Sequence, residues 1–476
     1  MAASAMKHLA AQEAAASVLD HAAFHARRYR NGLPPLHPSV DVKHLRRLFD
    51  CGLPDRGRNP FDVIDDLVSA AEPGLVGNTQ AGFFAWVMGG SHPAGVAADW
   101  LTSAWGQNAA IHQCSPAAAT AEEIAAKWLL ELLDLPRESS VGFTTGATMA
   151  GFISLAAARG EVLRRSGFDL NEAGLQDVPK VNIFISDEAH ASNFAVLRYL
   201  GFGERNFIRI PTDGEGVLDC AALEAALKHE TGPGIIVCQA GHINSGAFDP
   251  FEPLADLAAE HGSWLHVDGA FGLWARAVPE MKAQCRGIER AHSWAVDGHK
   301  WLQVPYDSGF AIVRDADAHR RAMDITAGYL SHDAQDGRNP THFGPELSRR
   351  ARGFATWAML QVMGRQGIVE MVRAHHLCAR AIADRLANTP GIRIENSVCL
   401  NQVVLSFHGK KTNAAMPDHA DALAAALNES GRFFFRTADW RGRRVLRISV
   451  IGYATDIASA ISAADAIEAE WMKIAC

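Results

Sequence analysis

At 476 residues the chain is long enough for one large domain with a smaller one beside it, and 48% hydrophobic with 21% charged residues is ordinary for a globular protein. A net charge of −8 spread over that length speaks against a nucleic-acid partner. There is no apolar run of the ~18 residues a membrane helix needs, and the eight cysteines form no CxxC pair, so a reduced, cytoplasmic protein is expected.

The first 30 residues are alanine-rich but interrupted by Lys7, Glu13 and Asp20, which leaves no h-region for a secretory signal. Leu9, Ala16, Leu19, Ala23 and Phe24 fall on one helical face, the pattern of an amphipathic helix that docks on something such as a partner subunit. Residues 1–80 read as an N-terminal helical segment broken at Gly32-Leu33-Pro34-Pro35 and Gly52-Leu53-Pro54. The block Ala81-Gly82-Phe83-Phe84-Ala85-Trp86-Val87-Met88-Gly89-Gly90 is too rich in glycine for a helix, so its aromatics are expected in a pocket or an interface. A helix is predicted over 118–134, ended by Leu135-Pro136.

An α/β alternation follows. Strands are predicted over 141–144, 181–186, 206–210, 234–239, 263–268, 293–296 and 309–313, with helices over 149–159, 220–229 and 253–261 among them. Most of these strands are nearly continuous apolar runs, as in a sheet covered on both faces. The segment 316–345 is polar and turn-rich, with Ser331-His332-Asp333 and Asp336 to Pro340, and reads as a functional loop. Beyond it come a long helix over 352–386, strands over 392–395, 402–407 and 445–450, and helices over 418–430 and 456–471. The predicted class is α/β: a large domain over 81–345 with a mostly parallel, seven-stranded-type sheet covered by helices, a smaller α+β domain over 346–476, and the N-terminal helical segment.

Three features fall at predicted strand ends, where α/β sheets gather ligands. Thr145-Gly146-Ala147-Thr148 is a strand-to-helix turn whose small residues let backbone N–H groups approach an anion, although such a turn can equally be a helix cap. Asp268, in His266-Val267-Asp268-Gly269-Ala270, ends an apolar strand and needs a partner there, either a helix N–H or a protonated ring nitrogen. Lys300 sits in Asp297-Gly298-His299-Lys300-Trp301, where apolar neighbours would strip hydration from the amine; a neutral lysine is a nucleophile toward an aldehyde cofactor. His190, after the strand over 181–186, can lie flat on an aromatic cofactor or be a satisfied polar residue. A metal is not expected: His266 and Asp297-Gly298-His299 are not accompanied by a helical HxxxH or CxxC pair. Together an amine, a carboxylate, an anion cradle and a flat imidazole are what pyridoxal phosphate needs.

In these motifs the chain resembles the group II pyridoxal-phosphate decarboxylases, which share the fold of aspartate aminotransferase, fold type I. The resemblance covers residues 83 to 455 and rests on Thr144 to Thr148, Ala189-His190-Ala191-Ser192, Gly246-Ala247-Phe248-Asp249-Pro250, His266 to Ala270 and Asp297 to Trp301, in the family's order. It implies that Lys300 carries the cofactor, that Asp268 pairs with the pyridine nitrogen and that His190 stacks on the ring. It further implies a cofactor site of Gly146, Ala147, Thr148, Asn244, Ala270 and His299, and a homodimer with active sites at the subunit interface. Phe83, Phe84 and Trp86 would then line the substrate pocket, and Arg447 would meet a substrate carboxylate or, equally, stand as a strand arginine in a salt bridge.

The departures bear on the reaction. A threonine of the family becomes His242, in Gly241-His242-Ile243-Asn244-Ser245, and a glutamate and a lysine become Met149 and Ala195. The loop tyrosine of the aromatic decarboxylases falls near Pro340, with His342 or Phe343 beside it, of which only the histidine can donate a proton. The expectation is decarboxylation of an aromatic or apolar L-amino acid to the amine, since no arginine cluster points to an acidic side chain. An oxidative aldehyde synthase, an aminotransferase or a Cα–Cβ lyase would use the same cofactor. The intact Lys300, Asp268 and His190 argue against a non-enzymatic binding module.

Overall fold

The computed structural model describes residues 2–32, 34–325, 337–409 and 418–475, with side chains from Ser17 onward. Its centre is a seven-stranded sheet built from β1 (Ser140–Thr144), β2 (Asn182–Ser186), β3 (Phe207–Ile210), β4 (Gly234–Gln239), β5 (Trp264–Asp268), β6 (Ser293–Asp297) and β7 (Gly309–Val313). The order across the sheet is β1-β7-β6-β5-β4-β2-β3. β7 runs antiparallel to both its neighbours and the other pairs are parallel. Every residue of β2, β4, β5, β6 and β7 is buried, which is why these strands read as unbroken apolar runs. All seven lie within one residue of the predicted bounds.

A second sheet holds β8 (Ile392–Ile394), β9 (Gln402–Phe407), β10 (Arg436–Trp440) and β11 (Arg443–Ser449), all antiparallel, in the order β10-β11-β9-β8. β10 has no counterpart in the sequence reading, because Arg436, Thr437 and Asp439 make it polar. Helices Gly353–Leu386, His419–Glu429 and Ile457–Ala475 supply apolar side chains to the core on this sheet.

Three expectations change. The supposed loop over 316–345 begins with a helix, Ala316–Met323, because Asp315 caps it by accepting from the Asp317 and Ala318 N–H groups. Ser331-His332-Asp333 and Asp336 lie outside the described residues. The helix predicted over 149–159 starts at Ala147 and runs to Arg165. Finally, the aromatic block around Phe83 is a strap rather than a pocket wall. The Phe84 N–H donates to the Phe434 carbonyl, the Phe434 N–H to the Gly82 carbonyl and the Ser449 N–H to the Phe84 carbonyl. Phe84 is fully buried and stacks on Phe435, with ring centroids 5.3 Å apart, so it belongs to the core of the small sheet.

The N-terminal helix Ala2–Asn31 leaves Leu19 and Phe24 exposed, so in the single chain its apolar side is only partly covered. Among the described residues no helix is long and apolar enough to cross a membrane.

Candidate active site

The carboxyl ends of β4, β5 and β6 share one edge of the sheet, and a cavity of about 350 Å³ opens there. Its lysine is fixed from both sides. The Trp301 side chain is fully buried and its indole N–H donates to His375 Nδ1 at 2.8 Å, which locks the residue after Lys300. Across the turn runs the strap: a Cβ on Gly89 would lie 2.1 Å from the His299 carbonyl oxygen, so glycine is required for that approach.

Lys300 Nζ lies 2.8 Å from Asp297 Oδ2, in a pair whose carboxylate is 4% exposed. The expected apolar setting of the amine is thus corrected: its nearest charged neighbour is a buried carboxylate, with the Phe271 ring centroid 5.7 Å away. Asp297 Oδ1 accepts from the Ala147 N–H at 2.5 Å, so Asp297 ties the lysine turn to the N-terminus of helix Ala147–Arg165, where negative charge is favoured. The Gly146 N–H goes to Thr144 Oγ1 at 3.3 Å. Gly146 and Ala147 line the cavity, yet their N–H groups are engaged within the chain. What remains for an anion is the first-turn N–H groups of Thr148 and Met149, which have no intrahelical acceptor, together with the Thr148 hydroxyl.

Asp268 is 8% exposed. Its Oδ2 accepts from Asn193 Nδ2 at 2.7 Å and its Oδ1 from the Ala270 N–H at 3.1 Å. His190 caps helix Ala191–Tyr199, with Nδ1 2.7 Å from Ser192 Oγ, and its ring lines the cavity. Burial lowers the His190 pKa; the Asp268 charge opposes this and the Lys300 and Arg447 charges add to it. His299 stacks on Tyr306 with centroids 4.2 Å apart and lies 3.5 Å from Asp297 through Nε2. Burial again lowers its pKa, against the pull of Asp297. Burial raises that of the Tyr306 hydroxyl, with Asp297 acting in the same sense.

Several expected residues stand elsewhere. Phe83 stacks on Phe434 and Trp86 packs near the same ring, so neither lines the cavity. His242 is 1% exposed and turned away: its Nε2 is 3.3 Å from Glu188, while its Nδ1 accepts from the Asn244 and Ser245 N–H groups. Its neighbours Gly241 and Ile243 form the cavity wall instead. Asn244 is buried and its Oδ1 accepts from Arg447 at 3.4 Å; neither residue lines the cavity, though the Arg447 charge reaches His190. His342 lies 3.7 Å from Asp324, next to Phe343, and away from the lining residues. His266 is core: burial pushes its pKa down to about 4, and its Nδ1 is 2.9 Å from Ser293 Oγ.

The sequence reading does not reach Asn193, Gln239, Phe271 or Tyr306. Only Asn193 carried a local signal, three residues after His190 and so one helical turn away. A reading centred on His266 and His299 also passes over His21-Ala22-Ala23-Phe24-His25, a helical HxxxH remote from the cavity lining.

An amine, a carboxylate held by two donors, free N–H groups at a helix N-terminus and a flat imidazole in one cavity fit pyridoxal phosphate. A profile of the pyridoxal-dependent decarboxylase conserved domain matches residues 43–408. Tryptophan decarboxylase 1 of Oryza sativa is 30% identical over 444 residues, 87% of this chain and 85% of that protein. Phenylacetaldehyde synthase of Arabidopsis thaliana is 26% identical, over 87% of each chain. A crystal structure of Oryza sativa TDC with PLP and tryptamine superposes with a TM-score of 0.89 at 25% identity, covering 98% of this chain and 99% of that one. The chain therefore belongs to the pyridoxal-dependent decarboxylase family, carboxy-lyases of fold type I that act on amino acids with pyridoxal phosphate.

Proposed function

We propose that this chain removes the carboxylate of an aromatic or apolar L-amino acid and releases the amine and carbon dioxide. The observation that carries the reading is the convergence of Lys300, Asp268 and the Thr148 and Met149 N–H groups on a cavity whose remaining wall includes Phe271, Tyr306 and Ile243. The relatives, decarboxylases of tryptophan, tyrosine and aromatic L-amino acids, point to the same substrate class.

Pyridoxal phosphate, when bound, supplies the electron sink for bond breaking at the amino-acid Cα. Lys300 would hold it covalently through its amine, and Asp297 fixes where that amine stands. Asp268 would keep a proton on the ring nitrogen, its carboxylate oriented by Asn193 and the Ala270 N–H. Thr148 and Met149 would take the phosphate at the helix N-terminus, with Gly146, Ala147 and His299 lining the cavity beside it. His190, which lines the cavity, would cover the ring, and Arg447, set behind the lining residues, would be the cation for the substrate carboxylate. Phe271, Tyr306, Met149 and Ile243 exclude water beside the substrate side chain.

The domain division at residues 80 and 345 is part of the same reading. So is a homodimer, supported by Trp100, Leu101 and Trp105, which are exposed on helix Pro93–Trp105. The seven described cysteines are free, which supports a reducing, cytoplasmic location.

The test is a panel of L-amino acids incubated with the cofactor-loaded enzyme, with amine and carbon dioxide followed by mass spectrometry. Turnover of tryptophan, tyrosine or phenylalanine to the amine is expected. Conversion with the carboxylate retained would overturn the reading. A second reading, oxidative release of the aldehyde, is favoured by the likeness to phenylacetaldehyde synthase and by the absence of His342 from the cavity wall. Oxygen uptake with ammonia and hydrogen peroxide release identifies it.

A further inference from the structure

His21 and His25 are four residues apart on helix Ala2–Asn31, so both rings project from one face. Their Nε2 atoms are 3.3 Å apart. Facing them from helix Pro60–Ala71 is Asp65, whose Oδ1 lies 2.8 Å from His21 Nε2 and 2.7 Å from His25 Nε2. The three ligand atoms form a small triangle, bounded on one side by the Phe61 ring, whose centroid is 5.4 Å from that of His21. We infer that His21, His25 and Asp65 form a binding site for a divalent transition-metal ion of the zinc type.

Two imidazole nitrogens and one carboxylate oxygen are a donor set that suits zinc. Bonds of about 2.0–2.2 Å at tetrahedral angles set ligand atoms about 3.3–3.6 Å apart. The edge between the two imidazoles already fits, and the two edges to Asp65 need to open by about 0.5–0.9 Å, which side chains that are 26%, 13% and 50% exposed can do. The exposure of Asp65 leaves the remaining coordination position and the entry path open to water. Without a cation, one carboxylate oxygen serves two imidazoles whose nitrogens crowd each other; a cation between the three replaces that arrangement with three bonds. The ion would cross-link two helices, and the first of them otherwise reaches the rest of the chain through polar contacts such as Arg28 to Glu72 and Arg30 to Tyr453. The site does not line the cofactor cavity, so its role is to set the position of the N-terminal helix and its exposed Leu19 and Phe24.

The experiment uses full-length, cofactor-loaded enzyme without a polyhistidine tag, stripped with EDTA and dialysed against zinc chloride. Expected are one retained zinc per chain by mass spectrometry and a melting midpoint that rises with zinc concentration. The double variant His21→Gln, Asp65→Asn should retain none, show no zinc-dependent shift and decarboxylate as the parent does. Cobalt in place of zinc should give the visible difference bands of a tetrahedral N/O site, a readout that needs no variant. A wild type that retains no metal and gives no cobalt bands, or a double variant that retains as much as the parent, overturns the inference.

Discussion

Every residue of β5 and β6 is buried, whereas β10 has only exposed and half-buried positions before it reaches the buried Trp440. In the large sheet both faces are packed, so Asp268 and Asp297 stand at strand ends, where backbone and side-chain donors can meet them. In the small sheet one face packs Leu446 and Ile448 with Phe84, Phe435 and Trp471, and the other sets Arg443 beside the smaller cluster of Val404, Trp440 and Val445. The contrast separates two kinds of residue. Polar groups at the ends of the large sheet line the cavity, and aromatics under the small sheet fill its core.

The largest effect is expected at Lys300. Lys300→Gln keeps an N–H donor for Asp297, so the buried carboxylate is not left alone. Visible absorption from lysine-bound cofactor and all amine production should vanish, while the circular dichroism of the fold persists. Loss of the fold together with activity would break the comparison. Next comes Phe84→Ala, which empties a fully buried aromatic site; a loss of about 3–5 kcal/mol in denaturant unfolding is expected. The KM of the molecules that remain folded should stay as in the parent. A KM rise instead would return Phe84 to the substrate pocket.

The smallest effect is expected at Glu188, which links the two sheets. It lies 3.3 Å from His242 and 2.7 Å from Arg441, and it accepts from the Trp440 indole N–H at 2.7 Å. Burial pushes its pKa up, but the hydrogen bonds from His242 and Trp440 and the Arg441 charge outweigh this and hold it at about 2. A depressed carboxylate contributes stability that is full above its ordinary range near 4.5 and is lost as pH falls toward 2. Glu188→Gln should therefore cost about 1 kcal/mol at neutral pH, with the gap to wild type closing as unfolding is measured down to acid. A gap that is constant with pH would deny the charged state its role.

The large sheet was legible because strands buried on both faces write themselves as apolar runs, and Lys300, Asp268, His190 and Thr148 were legible because each follows such a run. Phe271 and Tyr306 were not. Their cavity is assembled by the strand order, which sets β7 beside β6 and β1 beside β7 and so brings residues 145–149 next to 297–306. No local pattern records that neighbourhood. Phe84 misled for the opposite reason: glycines on both sides suggest an open loop, while its actual partners, Phe434 and Ser449, are distant in the chain. His242 misled because its type suggests titration, whereas its setting makes it a cap for its own turn.

Helix Gly353–Leu386 has one residue out of helical geometry, Gly364 at φ 57°. The stretch beyond it places Ile368 and Val372 in the core of the large sheet and Cys378, Ala379, Ile382 and Leu386 in the core of the small one. A single rod is thus mortared into both cores. Neither sheet can melt alone without uncovering half of that rod, so the polypeptide from cavity floor to small sheet comes apart as one cooperative block. Damage under the small sheet is therefore felt at the cofactor as a shorter lifetime of the whole, rather than as a change in chemistry.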